Sequence, residues 1–156
     1  MSSRVRVGVL LSGGGSNLQA LMDAAAAPDH PAQIAVVISN RKHAGGLERA
    51  RSAGIEAVWL PHKNKAREAF DAELVEVLQA HGCQWVALAG FMRIITPIFL
   101  DAFPGRVLNI HPALLPAFPG VNAQKQAFDA GVSQTGATVH LVDAGMDTGP
   151  IIAQGA

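Results

Sequence analysis

Val5-Arg6-Val7-Gly8-Val9-Leu10-Leu11-Ser12-Gly13-Gly14-Gly15-Ser16-Asn17-Leu18-Gln19-Ala20 is the stretch that sets the fold class. Val5 to Leu11 is a short apolar, β-branched run with little polar alternation, as in a buried strand. Ser12 to Asn17 carries three consecutive glycines and breaks the run with a turn. Leu18 to Ala27 then reads as a helix. Strand, glycine turn and helix in that order open a βαβ unit.

The rest of the chain repeats the alternation. Strands are expected at Ile34 to Ser39, Glu56 to Leu60, Trp85 to Ala89, Arg106 to His111, Thr135 to Val142 and from Ile151 to Gln154. A helix at Leu47 to Ala53 is stopped by Gly54. A longer one at Arg67 to Ala80 places Phe70, Leu74, Val77 and Leu78 on one face. Pro97 suits the first turn of a helix reaching Phe103, and Gln124 to Ala130 is a further short helix. Pro112 to Gly120, with three prolines, is expected to be irregular. The fold class that follows is α/β: a Rossmann-like open, mostly parallel sheet with helices on both faces, in a single domain over residues 1–156.

Composition narrows the function. Of 156 residues, 49% are hydrophobic and 15% charged, against about 25% charged in an average soluble protein. That balance suits an enzyme with a covered sheet and argues against disorder. Twelve basic and twelve acidic side chains leave a formal net charge of zero, so neither nucleic acid nor an anionic membrane is expected as a partner. The sequence shows no signal-peptide pattern and no apolar run of transmembrane length, which makes a soluble, cytoplasmic protein the expectation. The single cysteine, Cys83, excludes an internal disulfide and a cysteine-based zinc site.

In an open α/β sheet, ligands bind beyond the carboxyl ends of the strands, where the strand order switches. The segments expected there are Gly13 to Asn17, Ser39-Asn40, Gly90 to Ile95, Asn109 to Pro112 and Asp143 to Pro150. Gly13, Gly14 and Gly15 allow close backbone approach to an anion, with the amides of Gly15, Ser16 and Asn17 opening the helix. A dinucleotide fingerprint would need its third glycine at Leu18, and a Walker loop would need a Gly-Lys-Ser/Thr that is absent. A phosphate monoester fits better; from spacing alone, a tight turn without a ligand fits equally well.

Asn109-Ile110-His111 places an amide and an imidazole two residues apart, on one face of a strand end. Those are the groups a developing oxyanion requires. Asp147, in the Gly- and Pro-punctuated loop Asp143 to Pro150, would raise the pKa of a neighbouring imidazole and orient it; alone, it reads as a turn aspartate bonded to its own backbone. His140 is a neighbour of Thr138 on a strand face. His30, His43, His62 and His81 are expected in exposed loops or at a helix end. No histidine pair has the spacing of a helical metal site, so no metal is expected. Cys83 is expected to be a buried small hydrophobe.

Taken together, Val9 to Ala20, Gly46-Leu47-Glu48-Arg49-Ala50, Ala89-Gly90-Phe91-Met92-Arg93-Ile94, Asn109-Ile110-His111-Pro112-Ala113-Leu114-Leu115-Pro116 and Asp147-Thr148-Gly149-Pro150 resemble the phosphoribosylglycinamide formyltransferases. These are the folate-dependent enzymes of de novo purine synthesis in the formyltransferase superfamily. The resemblance implies the formyltransferase fold, here truncated at its C-terminal segment. It implies catalytic roles for Asn109, His111 and Asp147, with Gly15, Ser16 and Asn17 on the substrate phosphate. It places Met92, Arg93, Ile94 and Ile95, together with Asn109, around the folate, and Arg67 near the glutamate tail of the donor. The implied small-molecule partners are 10-formyltetrahydrofolate and glycinamide ribonucleotide, with no metal, in a monomer or homodimer. Gly14 stands where asparagine is frequent, Ala113 and Ala117 replace polar residues, and Asn122 stands where histidine can occur. A formyltetrahydrofolate deformylase would carry an N-terminal regulatory domain, and a methionyl-tRNA formyltransferase a C-terminal RNA-binding one.

Overall fold

The computed structural model describes residues 4–27, 29–93, 95–111, 137–142 and 151–155, with backbone alone at 110–111, 137–140 and 151–155. Strand and helix alternate as β1 (Val5–Leu11), α1 (Ser16–Ala25), β2 (Ala32–Ser39), α2 (Gly45–Ser52), β3 (Glu56–Trp59), α3 (Arg67–Ala80), β4 (Trp85–Leu88), α4 (Pro97–Ala102) and β5 (Val107–His111), followed by β6 (Ala137–Leu141) and β7 (Ile151–Gly155). One sheet holds all seven strands in the order β3-β2-β1-β4-β5-β6-β7. β1 to β5 pair in parallel, whereas β6 pairs antiparallel with both β5 and β7. The expected Rossmann-like, mostly parallel sheet is therefore present. The helix expected at Pro112 to Gly120's far side, Gln124 to Ala130, and the irregular loop before it lie outside the described residues.

The order reverses between β1 and β4, because α3 carries the chain from the β3 edge back across β1. The helices consequently cover both faces. Leu10, Ile38, Val86, Leu88 and Val107 pack with Phe70, Leu74, Leu78 and Phe99 of α3 and α4. On the opposite face, Val9, Leu11 and Val37 pack with Leu18, Met22, Leu47 and Ala50 of α1 and α2. Burial on both faces is why β1 and β2 read as continuous apolar runs. Each fully buried Leu or Phe in these layers contributes about 1.5–3 kcal/mol.

At the amino ends of the strands, two arginines tie β1 to helix ends. Arg4 donates to the carbonyls of Ala25, Ala27 and His30 (2.5, 3.2 and 3.0 Å) just past α1. Arg6 Nε donates to His81 O at 2.8 Å, at the end of α3. Cations at helix carboxyl ends complement the helix dipole. The 500 Å³ depression at this end, which Arg4 and Arg6 line, is therefore bordered by charges already engaged in the fold.

Candidate active site

At the carboxyl ends, the glycine turn is shaped by its neighbours. Gly15 has φ 81° and caps α1, a left-handed conformation that costs a side-chain-bearing residue about 1–2 kcal/mol. A Cβ there would also stand 2.6 Å from Gly46 Cα. The Gly46 amide donates to Gly13 O at 3.1 Å, and Arg49 Nε donates to Gly14 O at 2.7 Å. In a trans peptide the carbonyl and the following N–H point in opposite directions. The amides of Gly14 and Gly15 thus face away from α2. The first helical bond runs from Gln19 N–H to Gly15 O, so Ser16, Asn17 and Leu18 have no helical acceptor for their amides. These N–H groups open the helix at its amino end, where the helix dipole favours negative charge. Beside it, a 380 Å³ depression is lined by Ser12, Gly13, Gly14 and the segment from Arg41 to Gly45. Arg41, Lys42 and His43 are exposed there, and the arginine and lysine add positive potential.

The second wall is the loop after β4. Ser12 N–H donates to Gly90 O at 3.1 Å, and the Met92 amide donates to Ser12 Oγ at 2.9 Å. Met92 is 56% exposed and projects from the loop. Arg93 is half-buried, with its guanidinium 5.0 Å from the centre of the Phe70 ring and its Nε without a hydrogen-bond partner among the described residues. Ile95 belongs to the apolar core, so of the expected folate residues it supplies backbone and floor instead of an exposed side chain. Ile94 lies outside the described residues. At the far end of the loop, the Thr96 amide donates to Asp71 Oδ2 at 2.6 Å. Arg67, exposed, opens α3 one turn before Phe70, on the same side of the helix.

The third element is the end of β5. Asn109 is half-buried and pairs in parallel with Leu88 of β4, two residues before Gly90. His111 is the last residue of β5. The antiparallel register sets His140 opposite Asn109 and Thr138 opposite His111, so these four positions share one sheet face. The glycine turn, the loop from Gly90 to Thr96 and the Asn109–His111 strand end are thus adjacent, around the β1/β4 switch. Asp147 lies outside the described residues.

The sequence placed Asn40 at a strand end but gave no sign of the side-chain bonds that link it to Ser12 and His62. Ser12 Oγ donates to Asn40 Oδ1 at 2.6 Å, and both residues are buried. Asn40 Nδ2 lies 3.3 Å from His62 Nδ1, and the His62 ring stands edge-on to Phe70. His62 is therefore half-buried and bonded, not simply exposed as expected. His30 and His81 are corrected likewise: the first accepts the Ala32 amide at 3.0 Å, and the second lies 2.9 Å from Val77 O. His43 alone of the four is exposed. Cys83 is buried, and burial pushes its thiol up to about 11, partly offset by Arg6. A thiol so placed is a packing group, not a nucleophile.

Among the described residues no helix is long and apolar enough to cross a membrane. The sequence pattern of the formyl transferase family matches residues 5–156. The chain is 44% identical over 147 residues to the phosphoribosylglycinamide formyltransferase of Escherichia coli, covering 94% of this chain and 69% of that one. It is 51% identical over 156 residues to the trifunctional purine biosynthetic protein adenosine-3 of Drosophila pseudoobscura, of which it spans 11% while 98% of this chain is covered. Among solved structures, glycinamide ribonucleotide transformylase 1 from Symbiobacterium toebii superposes with a TM-score of 0.95 at 52% identity, over 99% of this chain and 74% of that one. The chain belongs to the formyl transferase family.

Proposed function

We propose that this chain transfers the formyl group of 10-formyltetrahydrofolate to the amine of glycinamide ribonucleotide, as a single catalytic domain of purine biosynthesis. The observation that carries the reading is the convergence, around one strand switch, of a glycine turn at a helix amino end, the loop from Gly90 to Thr96 and the Asn109–His111 strand end. Relatives named for the same activity support it.

Each part then has a physical task. The amides from Gly14 to Asn17 hold the phosphate of the nucleotide, which orients its amine and removes much of the entropic cost of the encounter. The loop from Met92 to Ile95 holds the folate through backbone groups, and Arg93 Nε, without a partner among the described residues, offers a donor beside it. Arg67, a cation at a helix amino end, is unfavourably placed for its own helix dipole and suits the carboxylates of a glutamate tail.

The amine is itself the nucleophile. Its nitrogen forms a bond to the formyl carbon, giving a tetrahedral oxyanion. Asn109 and a protonated His111 stabilise that charge. The bond from carbon to the folate nitrogen then breaks; His111 delivers a proton to that nitrogen, and the proton lost by the amine restores the balance. Asp147 keeps the imidazole charged.

The test is to follow deformylated folate released from 10-formyltetrahydrofolate with and without glycinamide ribonucleotide. Release is expected to require the nucleotide, and His111→Ala is expected to lower it by about 10²–10⁴-fold while nucleotide binding persists. Release that is independent of the nucleotide would mean that water is the acceptor, and the transferase reading would be wrong.

A further inference from the structure

A chain of hydrogen bonds crosses the carboxyl ends of four neighbouring strands. His62 follows β3, Asn40 follows β2, Ser12 follows β1 and Met92 follows β4, and the sheet order is β3-β2-β1-β4. The links run from the Met92 amide to Ser12 Oγ (2.9 Å), from Ser12 Oγ to Asn40 Oδ1 (2.6 Å) and from Asn40 Nδ2 to His62 Nδ1 (3.3 Å).

With the Asn40 carbonyl oxygen facing Ser12, the direction of every link follows. The Met92 N–H can only donate, so Ser12 Oγ accepts there and its single hydrogen goes to Asn40 Oδ1. The Asn40 amide must then present its NH₂ to His62, whose Nδ1 must be the acceptor. Ser12 and Asn40 are 2% and 5% exposed. Water therefore offers them little alternative pairing, and a broken link leaves a buried polar group without a partner.

We propose that Ser12 is a positioning residue for the donor loop, oriented by Asn40 and His62. This rests on the reading of that loop as the folate wall. The glycine turn is held separately, through Gly46 and Arg49, so the two substrates depend on Ser12 unequally. The hydroxyl sets where the loop's backbone groups stand relative to the nucleotide, acting through the Met92 amide.

The experiment pairs equilibrium binding with amide hydrogen exchange. In Ser12→Ala, the Met92 amide is expected to exchange about tenfold faster or more, while the Ala89 amide, bonded to Leu10 O at 2.9 Å, stays unchanged. Affinity for a reduced folate is expected to fall about tenfold, and that for glycinamide ribonucleotide to stay within about twofold. Ser12→Thr, which keeps the hydroxyl, restores folate affinity. His62→Ala, a milder change should Ser12→Ala fold poorly, shifts folate affinity and Met92 exchange in the same direction by about threefold. Equal weakening of both ligands, or unchanged Met92 exchange, overturns the proposal. A parent chain that binds neither ligand overturns the functional reading, and the donor-loop role with it, even with the exchange result intact.

Discussion

The two walls of the cleft are built by different means. The glycine turn is held almost wholly by backbone: Gly15 lies against Gly46, and the Gly13 carbonyl accepts the Gly46 amide. The loop after β4 is held by side chains: Ser12 at Met92, Phe70 beneath Arg93 and Asp71 at Thr96. At Gly15 the first wall cannot gain even one carbon without moving. A wall fastened by side chains tolerates changes in its own residues and fails when a distant fastener is lost. Phosphate recognition needs close amide approach, which suits the first kind of wall; a large heterocycle needs a shaped pocket, which suits the second.

Gly15→Ala tests the difference at its strongest point. The substitution adds a Cβ 2.6 Å from backbone, at φ 81°. The left-handed conformation alone costs about 1–2 kcal/mol, and the clash adds to it. A stability loss of about 2 kcal/mol or more is expected in urea unfolding, with nucleotide KM raised about tenfold. A variant within about 0.5 kcal/mol of the parent would mean that the turn yields easily, and the contrast between the walls would collapse.

Asp71→Ala probes the other wall from a buried position on α3. Asp71 is 1% exposed, and its removal strands the Thr96 amide without an acceptor, at a cost of about 1–3 kcal/mol. Folate KM is expected to rise about fivefold to tenfold, with nucleotide KM nearly unchanged. Asp71→Asn, which keeps an acceptor oxygen, recovers most of the loss. If the nucleotide KM rises as much as the folate KM, the walls are one mechanical unit.

The same contrast explains what could be read from the sequence. The turn at Gly13-Gly14-Gly15 was legible because three glycines end an apolar run, and Gly15 adopts the left-handed conformation that glycine takes most readily. Asn109 and His111 were legible because strand alternation puts them on one face at the end of a sheet. Strand and helix boundaries fell within about two residues of expectation, since apolar runs and the Phe70, Leu74, Leu78 stripe state their own period. α1 begins at Ser16, ahead of the expected Leu18, because the turn ends in a left-handed Gly15 that caps the helix directly. The fasteners were not legible. Ser12 and Asn40 are 28 residues apart, and only strand pairing makes them neighbours. Asp71 did leave a trace, an acid three residues before Leu74 on the apolar stripe, where a charge needs a buried partner.

Arg49→Ala gives the smallest expected effect and makes the sharpest distinction. Arg49 is the one side-chain brace described on the glycine turn, with Nε on Gly14 O and a second nitrogen 3.3 Å from Gln19 Oε1. Its guanidinium is exposed, so water can replace it at Gly14 O once it is gone. Stability should fall by less than about 1 kcal/mol, and nucleotide KM should rise no more than about threefold, with folate KM unmoved. The Gly46 amide and the packing of Gly15 would still hold the turn in shape. A tenfold rise in nucleotide KM would show that the arginine, either through the turn or through its own charge on the phosphate, matters as much as the glycines. The first wall would then depend on a side chain in the way the second does.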